Sequence, residues 1–184
     1  LSLSQISIFV GAIYVGGLVL QYPIGWASDR MDRRKLIMGL SVVAALVMLV
    51  AALAPLSFPA FVVVAMLLGG ITNPVYALLI AYTNDFLPRE QMAGASAGLI
   101  FLNGFGAVFG PTATGWMMEQ VGPPGFFGFI GLLYVALAGY AVYRMTRRAA
   151  PAVSGAFRGV NPSASPLAVE AVLDEAVKDD IPAT

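Results

Sequence analysis

Long uncharged stretches, separated by short charged segments, run through most of the chain. No Asp, Glu, Lys or Arg occurs in residues 1–28, 36–84, 91–118 and 120–143. A helix needs about 20 mostly apolar residues to cross a bilayer. The first, third and fourth stretches each match one such span. The second is too long for one span, and Pro55 and Pro59 divide it, because proline ends a helix and forces extended backbone on the residue before it.

The pattern predicts five membrane-spanning helices, near residues 5–26, 36–54, 60–83, 93–117 and 126–144. Lipid offers the backbone no hydrogen-bond partners, so only helices or closed barrels cross a membrane. Barrel strands would alternate over segments of about 10 residues, and these runs are longer and do not alternate. The sequence therefore predicts an all-α polytopic membrane protein with a transmembrane bundle at 1–148. Residues 149–184 are rich in Ala, Pro and Ser, and we expect a mostly disordered tail there.

Positive charge lies on one side of the predicted spans. Basic residues follow the first, third and fifth spans: Arg30, Arg33, Arg34, Lys35, Arg89, Arg144, Arg147 and Arg148. The turns after the second and fourth spans contain no Lys or Arg. The positive-inside rule makes the basic side cytoplasmic. We therefore expect an inner or plasma membrane protein with an external N-terminus and a cytoplasmic C-terminus.

Composition narrows the function classes. Hydrophobic residues make up 59% of the chain and charged residues 11%, where soluble domains have roughly 25% charged residues. The lipid bilayer is therefore the expected partner of most of the surface. The chain has no His, no Cys and no net charge, so it predicts no metal site, no cofactor and no nucleic-acid partner. A membrane-embedded enzyme is disfavoured, because no ionisable Asp, Glu, Lys or Arg falls inside a predicted span.

The first charged segment has a recognisable pattern. Residues 25–35 read GWASDRMDRRK. This segment resembles motif A of the major facilitator superfamily, in which a Gly, an acidic residue and several basic residues have this spacing. The matching positions are Gly25, Asp29, Arg30, Arg33 and Arg34. Asp32 stands where the family usually has Gly, and Asp tolerates turn and left-handed conformations better than most residues.

The resemblance also implies a position within a longer carrier. Twelve-span members have motif A after the second span and, in a degenerate form, after the eighth. Three more spans and a polar tail follow it here, so the five helices correspond to the last five of twelve. The segment from Asp85 to Gly94 is similar to the family's loop between the tenth and eleventh spans, which often carries an acidic residue, Pro, Arg and a following Gly. We interpret the chain as a fragment whose missing N-terminal half is its partner.

The same resemblance implies a gate at the basic side. Arg33, or Arg30 or Arg34 in its place, is expected to pair with Asp85 at the end of the third predicted span. We expect a surface pair that contributes at most about 1 kcal/mol to stability and biases the carrier between its inward-open and outward-open states. Arg89 lies in the same loop as Asp85 and belongs to the same group of gating candidates.

Neutral polar residues at helical spacing mark candidate substrate contacts. They are Tyr14, Gln21, Asn73, Tyr76 and Asn103, in the first, third and fourth predicted spans. Polar groups are costly in lipid without partners, so these side chains are expected to point inward. Substrate contact and hydrogen bonding between helices both remain open for each of them. In the family the corresponding spans border the central pathway, while the second and fifth spans here would lie at the lipid-facing periphery.

The fourth predicted span is rich in small residues. Gly106 and Gly110 have GxxxG spacing, and Pro111 follows directly. Small residues let helices approach closely, and proline removes a backbone hydrogen bond, so we expect close packing and a hinge. Together these features predict part of a carrier that moves a small solute by alternating access. The alternative is a structural or assembly membrane protein without a substrate.

Overall fold

The fold consists of five long helices. The structure, a computed structural model, describes residues 2–147, in which the helices are α1 (Leu3–Ser28), α2 (Arg33–Leu53), α3 (Phe58–Asn84), α4 (Arg89–Val121) and α5 (Pro124–Arg147). Each is long and apolar enough to cross a membrane. The all-α class and the five predicted spans are confirmed. The prediction for residues 149–184, and the position of Arg148, lie outside the described residues.

Local backbone and side-chain contacts mark the starts of α1 and α2 and the end of α4. Ser2 and Gln5 form a capping box at the start of α1, and Asp32 caps α2 by accepting a hydrogen bond from the amide of Arg34. Gly122, with a φ of 80°, ends α4, a conformation that residues with a Cβ rarely adopt. The helices therefore extend beyond the predicted spans, because hydropathy marks only the apolar part of each helix.

The largest difference from the predicted spans concerns α4. It continues through Pro111 to Val121 and includes Glu119 in its last turn, whereas the sequence predicted an end near residue 117. Its 33 residues correspond to a length of roughly 50 Å. Because the hydrocarbon core is about 30 Å thick, α4 must tilt or project beyond it.

The helix α3 lies at the centre of the bundle. It packs against α1 on one side and α2 on the other, α2 packs along α5, and α4 contacts α5 and, more weakly, α3. One core cluster joins the central helix to α2 and α5 through Ala44, Ile71, Val75 and Tyr134. In the same region the hydroxyls of Thr72 and Tyr134 are 2.7 Å apart. The peripheral, lipid-facing placement of α2 and α5 stays a prediction.

Glycines on both helices bring α1 and α3 into backbone contact. A Cβ added at Gly16 would overlap the backbone carbonyl of Met66, and one added at Gly69 would overlap that of Ile13. A Cβ added at Gly70 would first meet the side chain of Leu20, with the carbonyl oxygen of Gly16 at 3.0 Å. The two backbones therefore touch at Gly16 and Gly69, and no side chain fits at these two positions. These glycines were not among the residues predicted to pack.

All the charged loops that hold basic residues meet at one end of the bundle, which we call the basic edge. Here α1, α3 and α5 end and α2 and α4 begin. An ion pair between Arg33 and Asp85 joins the α1–α2 loop to the α3–α4 loop, and Arg144 of α5 lies over the ring of Tyr82 near the end of α3. The prediction that these basic loops share one end is therefore confirmed for the described residues.

Candidate functional site

The α1–α2 loop is a tight connection held by its own side chains. Asp29 follows α1, and its amide donates to the carbonyl oxygens of Gly25 and Ala27. Asp32 accepts the backbone amide of Arg34 at 2.9 Å and also its guanidinium, at 2.7 Å from Nη2. These side-chain hydrogen bonds from Arg34 are the main reason that the pKa of Asp32 lies below its ordinary value. Asp32 therefore acts as a helix cap and an ion-pair partner.

The role of Asp32 differs from the one expected. Its φ is −58°, and no residue other than glycine has a positive φ in the described part of the chain. The loop therefore needs no left-handed residue at this position. Motif A usually has a glycine at this position. Here the aspartate caps α2 instead, because its carboxylate accepts a hydrogen bond from a backbone amide that has no partner within the first turn of the helix.

The ion pair at the basic edge joins two loops that are far apart in sequence. The Nη1 atom of Arg33 lies 2.6 Å from Oδ1 and 2.7 Å from Oδ2 of Asp85. Its Nε donates to the hydroxyl of Ser28 at 3.2 Å. The contact between Arg33 and Asp85 is the one expected from the resemblance to motif A.

The burial of this pair corrects one expectation. The side chains of Arg33 and Asp85 are only 2% and 5% exposed, so this is not a surface ion pair. The arginine is the first residue of α2 and the aspartate caps the end of α3, and the packing of these two helix ends covers both groups. Breaking a buried pair leaves a desolvated charge without its partner, which costs far more than breaking an exposed pair.

Aromatic rings contact two further arginines of the basic edge. The guanidinium of Arg30 lies 4.1 Å from the ring centroid of Trp26 and also donates to its carbonyl at 3.2 Å. Arg147 lies 5.5 Å from the ring of Tyr143. Cation–π contacts of this kind orient a guanidinium without neutralising its charge. The basic edge therefore combines paired and unneutralised cations.

The remaining gating candidates occupy the same edge. Gly25 is buried in the last turn of α1, while Asp29 and Arg30 are exposed at its end. Arg89 begins α4. The structure thus brings the residues of motif A together with the loop of Asp85, and their role in gating stays a prediction.

The candidate substrate contacts are spread over three helices. Tyr14 is exposed on α1, and the other four side chains, Gln21, Asn73, Tyr76 and Asn103, are half-buried. The amide of Asn73 lies against Gly17, where a Cβ would overlap it, so this side chain occupies the seam between α1 and α3. The choice between substrate contact and helix–helix hydrogen bonding stays open for all five.

The small residues predicted to pack on α4 face open space in the described structure. A Cβ added at Gly106 or Gly110 would meet no atom within 4 Å, and Pro111 is exposed within a continuous helix. Close packing on this face and a hinge at Pro111 stay predictions. The glycines that do pack between α1 and α3 are instead two adjacent pairs, Gly16-Gly17 and Gly69-Gly70.

The arrangement is that of a polytopic helical membrane protein in which a buried ion pair joins two basic loops at one edge. Among residues 2–147 no group of three or more His, Cys, Asp or Glu is placed to hold a metal ion. The sequence from residue 1 to 177 matches the family model of the Major Facilitator Superfamily. The chain belongs to this family, a family of membrane transporters rather than enzymes.

Curated relatives agree with this assignment. An uncharacterised MFS-type transporter of Bacillus subtilis, YfkF, is 27% identical over 137 residues, which cover 72% of this chain and 34% of the relative. A benzoate transport protein of Acinetobacter baylyi is 29% identical over 143 residues, covering 75% of this chain and 29% of the relative. The chain therefore spans about one third of the length of the relatives it matches. No solved structure matches it significantly.

Proposed function

We propose that the chain is part of a carrier that moves a small solute across the inner or plasma membrane by alternating access. The basic edge would be cytoplasmic, following the distribution of Lys and Arg. The rest of the carrier, an N-terminal half related by pseudo-symmetry, would complete the solute pathway. Membership of the transporter family and the five apolar helices support this proposal.

The buried ion pair between Arg33 and Asp85 is the observation on which the proposed mechanism depends. It ties the α1–α2 loop to the end of α3 at the basic edge, so the two loops move together while the pair is intact. A carrier alternates between states that differ by only a few kcal/mol, and a buried ion pair has an energy in this range. We infer that the pair favours one of the two states of the cytoplasmic gate.

The pathway candidates follow from the same geometry. Half-buried polar side chains on α1, α3 and α4 would contact the solute on the side where the missing half packs. Asn73 is the best placed of these on α3, because its amide already lies between two helices. The name of one relative specifies benzoate, so benzoate is included in the first panel of solutes for the full-length carrier.

The test is a charge exchange in the full-length carrier reconstituted in proteoliposomes. Asp85→Arg and Arg33→Asp are expected to reduce uptake singly, and the double variant is expected to recover part of it. Asp32→Asn is the matched control, because it weakens an ion pair at the same edge that lies within a single loop and leaves the loop-to-loop contact intact.

Two outcomes would count against the proposal. A double variant no more active than either single variant, with all proteins stably inserted, would show that the residues do not act as a pair. No flux of any panel solute through the unaltered carrier would favour the alternative, a structural or assembly membrane protein.

A further inference from the structure

The basic edge carries more positive than negative charge. Among the described residues it holds seven basic residues and four acidic ones, Asp29, Asp32, Asp85 and Glu90, while Glu119 is the one charged residue at the opposite end. Two of the arginines are paired with Asp85 and Asp32. Five basic residues remain, of which we call four the basic patch: Arg30, Lys35, Arg144 and Arg147.

Within this patch, Arg144 has a buried N–H group without a hydrogen-bond acceptor among the described residues. Its guanidinium lies 6.0 Å from the ring centroid of Tyr82, which is at the outer limit of a cation–π contact. Its Nε is enclosed without a hydrogen-bond acceptor, and the hydroxyl of Tyr82 is also enclosed without a partner, among the described residues. An enclosed N–H group without an acceptor is unfavourable, because it has lost its hydrogen bonds to water and gained none in return. The position therefore favours an anionic oxygen.

The sequence that follows α5 has the complementary charge. Residues 166–184 contain five acidic side chains, Glu170, Asp174, Glu175, Asp179 and Asp180, and one basic side chain, Lys178. They follow α5 in the same chain, and α5 ends at Arg147, three residues after Arg144. The 22 residues from 148 to 169 can span up to roughly 70 Å. One helix is about 10 Å wide, so a bundle of five helices is much narrower than this span. The acidic segment can therefore reach any part of the basic edge.

We propose that the acidic segment 166–184 docks on the basic patch, with a carboxylate accepting the Nε–H of Arg144. The guanidinium of Arg144 lies over the ring of Tyr82 on α3. A tethered segment also has an effective concentration in the millimolar range when its tether spans the distance. The contact does not depend on which solute the carrier moves.

Trypsin provides a direct test, because the tail contains two cleavage sites that serve as probe and control. Lys178 lies within the acidic segment, and Arg158 lies in the tether before it. With the full-length protein in phosphatidylcholine vesicles at low salt, docking is expected to slow cleavage at Lys178. Arg144→Gln is expected to accelerate that cleavage about tenfold, since cleavage of a protected site follows the population of its open form. Cleavage at Arg158 is expected to stay unchanged.

Two companion variants make the result specific to charge. Arg144→Lys, which keeps the charge, is expected to retain most of the protection, and Glu119→Gln at the opposite end is expected to change nothing. Salt near 1 M is expected to mimic Arg144→Gln, because it shortens the screening length to about 3 Å. Circular dichroism of each variant establishes that the helices are intact.

Equal cleavage at Lys178 in the unaltered protein and in Arg144→Gln at low salt would overturn the proposal. It would also be overturned if Arg144→Gln had no effect in phosphatidylcholine but altered thermal stability in phosphatidylglycerol vesicles. In that case the basic patch would serve lipid head groups and not the tail.

Discussion

Replacing Gly69 by alanine tests the backbone contact between α1 and α3 most directly. The added Cβ would overlap the carbonyl of Ile13, and the obstacle is backbone, which cannot rotate away as a flexible side chain can. The two helices would have to separate by roughly 1.5 Å before normal van der Waals contact is restored, and dispersion falls steeply over such a gap. The same change at Gly16 would meet the carbonyl of Met66 in the same way.

The expected cost follows from this geometry. Overpacking a well-packed contact costs about 1–3 kcal/mol and occasionally more, and we expect Gly69→Ala at the upper end because neither backbone can give way locally. A loss of about 3 kcal/mol lowers the folding equilibrium constant more than a hundredfold. Gly16→Ala combined with Gly69→Ala should cost less than the sum of the two, since one separation of the helices relieves both overlaps.

Unfolding by sodium dodecyl sulfate in mixed micelles, followed by circular dichroism, measures these free energies. Gly104→Ala is the matched control, because a Cβ there meets nothing within 4 Å in the described structure and alanine is the better helix former by about 1 kcal/mol. If Gly69→Ala proved as stable as Gly104→Ala, α1 and α3 would not be in backbone contact and the argument would fail.

Three further predictions concern polar contacts. Asp85→Asn removes the carboxylate that pairs with a buried arginine, so it should lower the free energy of unfolding by about 3–5 kcal/mol, and a loss below about 1 kcal/mol would mean that the pair is solvated. The pKa of Asp32 is lowered, chiefly by hydrogen bonds from the side chain of Arg34. Asp32 therefore adds to the free energy of unfolding at pH values above its unfolded pKa of about 3.9, and this stabilisation is lost as the pH falls through the folded pKa. Thermal denaturation between pH 3 and 6, roughly the range around that value, should therefore show a smaller loss of stability on acidification for Asp32→Asn than for the unaltered protein. Tyr134→Phe should cost about 0.6 kcal/mol and at most about 1.7, the range for hydrogen bonds between membrane helices. A double-mutant cycle with Thr72→Val that showed no coupling would contradict the observed contact.

Much of the fold could be predicted because charge and hydropathy act over whole helices. The spacing of charged residues, together with Pro55 and Pro59, located all five spans, and the distribution of Arg and Lys placed their loops at one end. The ion pair of Arg33 with Asp85 was predictable through the resemblance to motif A. Its burial was not, because burial depends on how the end of α3 packs against the start of α2.

Contacts between particular helix faces were beyond the reach of the sequence. Gly69 and Gly106 lie in equally apolar surroundings in sequence, yet the first touches another backbone and the second faces open space. Only the choice of neighbouring helix distinguishes them, and that choice depends on the packing of the whole bundle. The end of α4 was misplaced for a local reason, since Gly122, and not the polar residues before it, terminates the helix.

The weak packing of α4 also has a consequence for the order of synthesis. It is the least apolar of the five helices and almost none of its span is buried in the described structure. Its main neighbour in this part of the chain is α5, which the ribosome makes after it. Since chains emerge N-terminus first, α4 must enter the bilayer before the helix that holds it exists. Delays in translation after α4 has left the ribosome, but before α5 has, should therefore affect membrane insertion of α4 more than that of any other helix.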